Sequence, residues 1–200
     1  MGEQARIRLY MAALLMAVTV TTTNAADDFG IVTDLSGNTE IKRAIKSLPA
    51  TVGFNLTIGD SLVLGKNAKI TIVSYDQCLE WNIKGPGTTE LKYGSTLFNG
   101  KKLRHDRRLP VCYSMSAATT NVSDHMGGIV LRGGGPKDPV ADLREEFSAG
   151  SAVNSTIFTL LMHELNSGNI EKSRPYYEEM KKRMPDAEII TKLAPVFNNQ

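Results

Sequence analysis

The densest set of chemically capable side chains in this 200-residue sequence is Lys101, Lys102, Arg104, His105, Arg107 and Arg108, with Asp106 the only acid inside it. Cations packed this closely attract phosphate, an anionic glycan or an acidic protein surface. The same composition also describes a solvated face, so the residues alone leave both readings open. The cluster follows the turn pair Asn99-Gly100 and precedes Cys112, which places it on a strand end or loop. The three histidines each neighbour an acid, in His105-Asp106, Asp124-His125 and His163-Glu164. Adjacent residues point to opposite faces of a strand and diverge by about 100° on a helix, so adjacency builds no acid–base pair. No His-x-x-x-His spacing, no Gly-x-Ser-x-Gly turn and no phosphate-loop motif occurs. No catalytic residue, metal site or cofactor is therefore expected. A periplasmic enzyme whose site is assembled from distant residues stays as an alternative.

The two cysteines, Cys78 and Cys112, are not spaced as Cys-x-x-Cys. They are either a structural disulfide or two buried thiols. An even count in an exported chain favours the bridge. Closing a loop of that size contributes about 3–4 kcal/mol in the chain-entropy account.

Export is read from the first residues. Arg6 and Arg8 precede an uncharged stretch with an apolar core at residues 11–18, and the small polar run Thr21, Thr22, Thr23, Asn24, Ala25 follows. This is the pattern of a removable leader, with cleavage expected after Ala25. The stretch is shorter than the ~20 residues a membrane-spanning helix needs. The expected location is periplasmic, with secretion as the alternative, and no membrane span after cleavage. Net charge is only +2, which argues against a dedicated nucleic-acid binder.

The elements that must position the basic cluster come next. Leu79, Trp81 and Ile83 alternate with Glu80, Asn82 and Lys84, and Ile70 and Ile72 with Lys69 and Thr71, the pattern of strands with one dry and one wet face. Trp81 falls on the dry face and is expected in the core. Turn residues recur at Ser36-Gly37-Asn38, Gly59-Asp60, Gly65-Lys66-Asn67, Gly85-Pro86-Gly87 and Asn99-Gly100. Short strands at about ten-residue spacing predict a β sandwich or small barrel. Residues 114–137, rich in Ser, Ala, Thr and Gly, read as a linker with one possible strand at Ile129-Val130-Leu131.

Residues 138–200 read as helical. Asp138 is expected to cap a helix starting at Pro139, with Val140, Leu143 and Phe147 on one face. A second helix groups Val153, Ile157, Leu160, Leu161 and Leu165 and ends at Gly168. A third runs from about Asn169 to Met184, with Pro175 expected to kink it or shift its start. A last one spans about Asp186 to Val196. The fold class expected is α+β: a mainly β sandwich or small barrel at residues 26–113, then the linker, then the helices.

The β-rich part resembles the FecR-like domain of bacterial envelope proteins. The resemblance rests on Val52-Gly53, Leu56, Ile58-Gly59-Asp60-Ser61-Leu62, Gly65, Ala68, the strand at residues 69–73, Ile83-Lys84-Gly85-Pro86-Gly87, and Gly127-Gly128-Ile129-Val130-Leu131-Arg132-Gly133. It covers residues 29–132, about half the chain, and implies an all-β envelope module that senses or binds. The cytoplasmic segment and membrane helix of the signalling members have no counterpart in this sequence, so what the resemblance carries over is a fold and a location, and it leaves open whether any signalling role is retained. The third helix looks like the second half of a tetratricopeptide repeat, from Gly168-Asn169-Ile170 through Tyr176-Tyr177-Glu178-Glu179 to Met184-Pro185, with Arg174 and Pro175 departing from it. One such unit cannot bury its own faces. The function expected is a non-enzymatic binding or assembly module whose partner is an envelope protein or anionic glycan. The alternative is a small adaptor that uses Tyr176, Tyr177, Glu178 and Glu179 to engage a protein.

Overall fold

The alternation read from β7 (Leu79–Lys84) and β6 (Lys69–Ser74) is realised as a pair of neighbouring antiparallel strands. A computed structural model describes residues 28–112 and 138–198. The leader, the linker with its possible strand, His125 and the Gly127–Gly133 stretch of the resemblance lie outside the described residues.

Two antiparallel sheets form the β part, an open sandwich rather than a closed barrel. The first has the order β11-β7-β6-β1-β4, with β1 at Asp28–Ser36, β4 at Asn55–Thr57 and β11 at Arg107–Arg108. The second has the order β10-β9-β8-β5-β2-β3. Its strands are β2 (Thr39–Arg43), β3 (Lys46–Pro49), β5 (Ser61–Leu64), β8 (Gly87–Lys92), β9 (Ser95–Phe98) and β10 (Lys101–Lys102). Between the sheets lies a core of Phe29, Val32, Ile41, Leu56, Leu62, Ile70, Ile72, Trp81, Ile83 and Leu91. Trp81 stacks on Phe29, with ring centroids 5.9 Å apart.

One turn of the sandwich is held by a buried charge. Asp60 follows Gly59, whose φ is +93°, and its carboxylate accepts the Thr57 amide at 2.9 Å. The same carboxylate accepts two bonds from the Arg43 guanidinium, at 2.9 and 2.7 Å. The three bonds this buried carboxylate accepts offset the loss of its hydration.

Among the described residues four helices follow: α1 (Ala141–Ser148), α2 (Asn154–Asn166), α3 (Ile170–Arg183) and α4 (Glu188–Asn198). In α4 the buried Ile189, Ile190, Leu193 and Phe197 recur at helical spacing. The helices cover the outer face of the first sheet. A second core joins Ile31, Val73, Tyr75, Leu109 and Val111 of the β part to Leu143, Ile157, Phe158, Leu160, Leu161, Tyr177, Met180 and Leu193 of the helices. Where α4 begins, the fit is tight. Gly53 has φ +81°, and a Cβ there would collide with Ala187.

Three local expectations are corrected. The first helix begins at Ala141, so Pro139 lies outside it. Asp138 does accept a backbone bond, but from Val140 N–H at 3.1 Å, ahead of the helix. The third helix starts at Ile170, with Pro175 inside it and no shift of its start towards Ser173, and the last extends to Asn198 rather than Val196. Gly168 does close α2 in the left-handed region, at φ +73°, while the next amide, Asn169 N–H, returns to the Glu164 carbonyl at 2.8 Å.

Candidate functional site

Residues 99–112 form a strap that crosses from the edge of the second sheet to the edge of the first. Asn99 and Gly100 both take positive φ, +50° and +76°, which makes the tight hairpin between β9 and β10 possible. The Asn99 side chain accepts the Thr88 amide at 2.9 Å and holds that corner. Lys101 and Lys102 then pair with Phe98 and Leu97 on the sheet edge. Leu103 is partly buried against the sandwich core, and its amide donates to Thr96 O at 2.7 Å.

The far end of the strap is fixed just as firmly. Asp106 N–H donates to Glu80 O at 2.9 Å, and the Asp106 carboxylate accepts Asn82 N–H at 2.7 Å. Arg107 and Arg108 pair with Glu80 and Leu79 of β7. Leu109 and Val111 enter the second core. Cys112 is paired with Cys78 as a disulfide, with Cα atoms 4.7 Å apart. The strap is therefore anchored by backbone pairing, three apolar plugs and one covalent link.

This construction divides the basic cluster. Lys101, Lys102, Arg104, His105 and Arg108 stay exposed along the strap. Among the described residues, none of the four formal cations in that set forms an ion pair with a carboxylate. Arg107 leaves the group. Its guanidinium reaches the Glu146 carboxylate at 3.3 Å and the Thr156 hydroxyl at 3.4 Å, tying the strap to α1 and α2. Sequence grouping assigns Arg107 to the binding face; the fold uses it as a brace.

The tyrosine set proposed for a partner is also divided. Tyr176 and Tyr177 face the interior and are buried. Tyr176 packs edge-on against Phe147 at 4.8 Å and Tyr177 stacks on Phe197 at 4.1 Å. Glu178 is exposed, and Glu179 bonds Arg183 at 2.8 Å one turn away, which lowers its carboxyl pKa. The pair Tyr176-Tyr177 is thus packing within this chain and is closed to a partner.

Two polar clusters appear that spacing does not reveal. On α1 and α2, Arg144 bridges Asp138 and Glu164, and Glu164 also accepts the Asn169 amide group at 3.0 Å. His163 beside it is half-buried, and burial pushes its imidazole pKa below the ordinary value while Glu164 pulls the other way. Both nearby carboxylates are engaged by Arg144, so the arrangement reads as a helix tie. Where β1 meets α2, Asn154 donates to Thr33 O at 2.9 Å and to the Asp34 carboxylate at 3.0 Å. Burial first, then the charge of Glu80, raises the Asp34 pKa. Glu80, read from alternation as facing water, is covered by the helical layer and only 7% exposed. A cleft of about 460 Å³ runs along the same sheet, lined by Asp34, Ser36, Lys69, Thr71, Asn82 and Lys84 among others. Its lining mixes both charges and selects no ligand class.

Among the described residues no group of three His, Cys, Asp or Glu is placed to hold a metal, and no helix is long and apolar enough to cross a membrane. Asn55 and Asn154, each in a glycosylation-type triplet, spend their side chains on internal bonds, Asn55 to Asp28 and Tyr75. Comparison with family models, with curated proteins and with solved structures finds no match to this chain.

Proposed function

We propose that this protein is an exported, non-catalytic binding or assembly module of the bacterial envelope, built on a FecR-like β-domain, with the strap at residues 99–112 as its contact surface. The observation that carries the reading is the set Lys101, Lys102, Arg104 and Arg108, exposed and, among the described residues, without a carboxylate partner, on a segment fixed at both ends. A cation held on a rigid edge loses little freedom when an anion arrives, so binding is not offset by the ordering of a loop. The matching partner is an anionic envelope component, whether a glycan or an acidic protein face.

The test replaces Lys101, Lys102, Arg104 and Arg108 with glutamine and leaves Arg107 in place. Retention on an immobilised sulfated glycan and on immobilised polyglutamate is then read against salt. The parent should be retained and elute as salt rises, while the quadruple variant should pass through with an unchanged thermal midpoint. Equal retention of the two proteins refutes the reading. Preference for one matrix names the partner class.

A further inference from the structure

The strap turns its large apolar side chains inward. Leu103 packs against the inter-sheet core, and Leu109 and Val111 enter the core beneath the helices. What it shows to water is a row of charges. A protein interface is built around a desolvated apolar centre from which charged residues are depleted, and the strap offers no such centre. It does have length. Lys101 and Lys102 lie on the edge strand of the second sheet and Arg108 on the edge strand of the first, with Arg104 between them. Packed sheets stand about 10 Å apart, so the cations are spread over at least that distance. A compact anion meets one end of such a row at a time. A chain with anionic groups along its length meets both ends, and its second contact is intramolecular.

The acids near the row are engaged or set apart from it. The Asp106 carboxylate accepts the Asn82 amide, Glu146 is held by Arg107, and Glu90 is held by Lys92 at 2.9 Å. Glu80 is covered by the helices. Asp76 stands in the turn between β6 and β7, beyond Cys78 and so past Arg108, the last cation of the row. Among the described residues an exposed aromatic ring also stands beside the row. Leu103 N–H donates to Thr96 O at 2.7 Å, and Tyr93 lies in the β8–β9 turn three residues before Thr96. Tyr93 is thus roughly two strand spacings, or about 10 Å, from the strap where it leaves β9. Its side chain is 82% exposed. An exposed tyrosine joins an apolar face to a polar tip. A sugar ring, apolar on its C–H face and hydroxylated at its edge, matches it, whereas a run of carboxylate side chains or a lone phosphate has no such face.

We infer that the strap takes an extended anionic glycan, with its acidic groups spread along the row from Lys101 to Arg108 and one sugar ring laid on Tyr93. The inference rests on the reading of the strap as the contact surface and names the ligand of that surface: a linear acidic polysaccharide, not a compact anion or the face of a protein.

The experiment is calorimetric titration of the purified chain with heparin-derived di-, tetra- and hexasaccharides at several salt concentrations. Polyglutamate and single-stranded oligothymidine of matched charge, and inorganic phosphate, are titrated alongside. Affinity should rise about tenfold or more from disaccharide to hexasaccharide, with phosphate the weakest. Lys101→Gln with Lys102→Gln at one end, and Arg108→Gln at the other, should each weaken the hexasaccharide about tenfold and the disaccharide far less. Each cation removed should flatten the fall of log K with log salt by about one. Tyr93→Ser should weaken the hexasaccharide about fivefold and leave polyglutamate unchanged. Near-ultraviolet circular dichroism checks that each variant, changed only at exposed sites, keeps the parent fold. Affinity that does not grow with glycan length overturns the inference and leaves the strap's anion binding standing, as does a Tyr93→Ser variant that binds the hexasaccharide like the parent. Tighter binding of polyglutamate or oligothymidine than of the hexasaccharide overturns it in favour of an acidic protein or a nucleic acid. A parent that binds none of these anions overturns the reading of the strap itself.

Discussion

The two hydrophobic cores of this molecule are built on different terms. The core between the sheets is enclosed by strands that neighbour one another in sequence, and alternation decides which residues enter it. The core beneath the helices is shared. Ile31, Val73 and Tyr75 come from the sheet and meet helices from the other end of the chain, and Tyr75 lies 6.1 Å from Phe158, centroid to centroid. Neighbouring residues of β1 serve both, Ile31 outward and Val32 inward. The helical region is thus the second wall of the first sheet, not an appendage. A truncation that removes residues 138–198 uncovers the sheet's apolar outer face, so it cannot report cleanly on what the β part binds.

The largest expected effect probes the link between the two. Replacing Cys78 and Cys112 with serine removes a constraint on residues 34 apart in sequence and should cost about 4 kcal/mol of stability. Chemical denaturation of the variant checks it. Next, Leu62→Ala hollows the inter-sheet core and Leu160→Ala the shared one, each by about 3 kcal/mol. If the sheets and helices unfold as one unit, both variants shift a single transition recorded by far-ultraviolet and near-ultraviolet circular dichroism. A second transition in Leu160→Ala alone would show the helical layer opening by itself.

A smaller change tests the brace. Arg107→Met should cost about 1 kcal/mol, because Arg107 and Glu146 are both partly exposed and water screens their attraction. Amide exchange should quicken at the start of α2 more than in β7. The smallest effect is a pH dependence. His163 has a folded pKa below its unfolded value, so the stability it contributes is present above about pH 6.5 and is lost as pH falls through the folded pKa. The drop in thermal midpoint between pH 7.5 and 5.5 should be shallower in His163→Asn. Asp34 carries the opposite sign. Its raised pKa gives stability below about pH 4 that is lost as pH rises, so Asp34→Asn should gain slightly at neutral pH.

The same contrast explains what was legible in the sequence. Alternation places Ile70, Ile72, Trp81 and Ile83 on a common dry face, because a strand's period is fixed by its own backbone. Alternation says nothing of what covers the other face. Glu80 is therefore read as wet, although helices added some sixty residues later exclude water from it. Arg107 fails for the same reason. Its partner Glu146 lies 39 residues away, and no local signal separates it from Arg104 or Arg108. Tyr176 and Tyr177 fall on the buried side of α3 because α1 and α4 supply Phe147 and Phe197 against them. The disulfide was legible from the even cysteine count. The strap's anchorage was not, since it depends on β11 pairing backwards with β7.

The two-sided use of β1 has a consequence for how the polypeptide matures. The first described strand to be synthesised is among the last to be finished, because Ile31 waits in water until segments near the carboxyl end arrive. Contacts of such long sequence separation slow the final collapse and keep an emerging chain loose until almost all of it is made. A molecule arranged this way resists locking into shape halfway, and its sheet and helices are completed together rather than in turn.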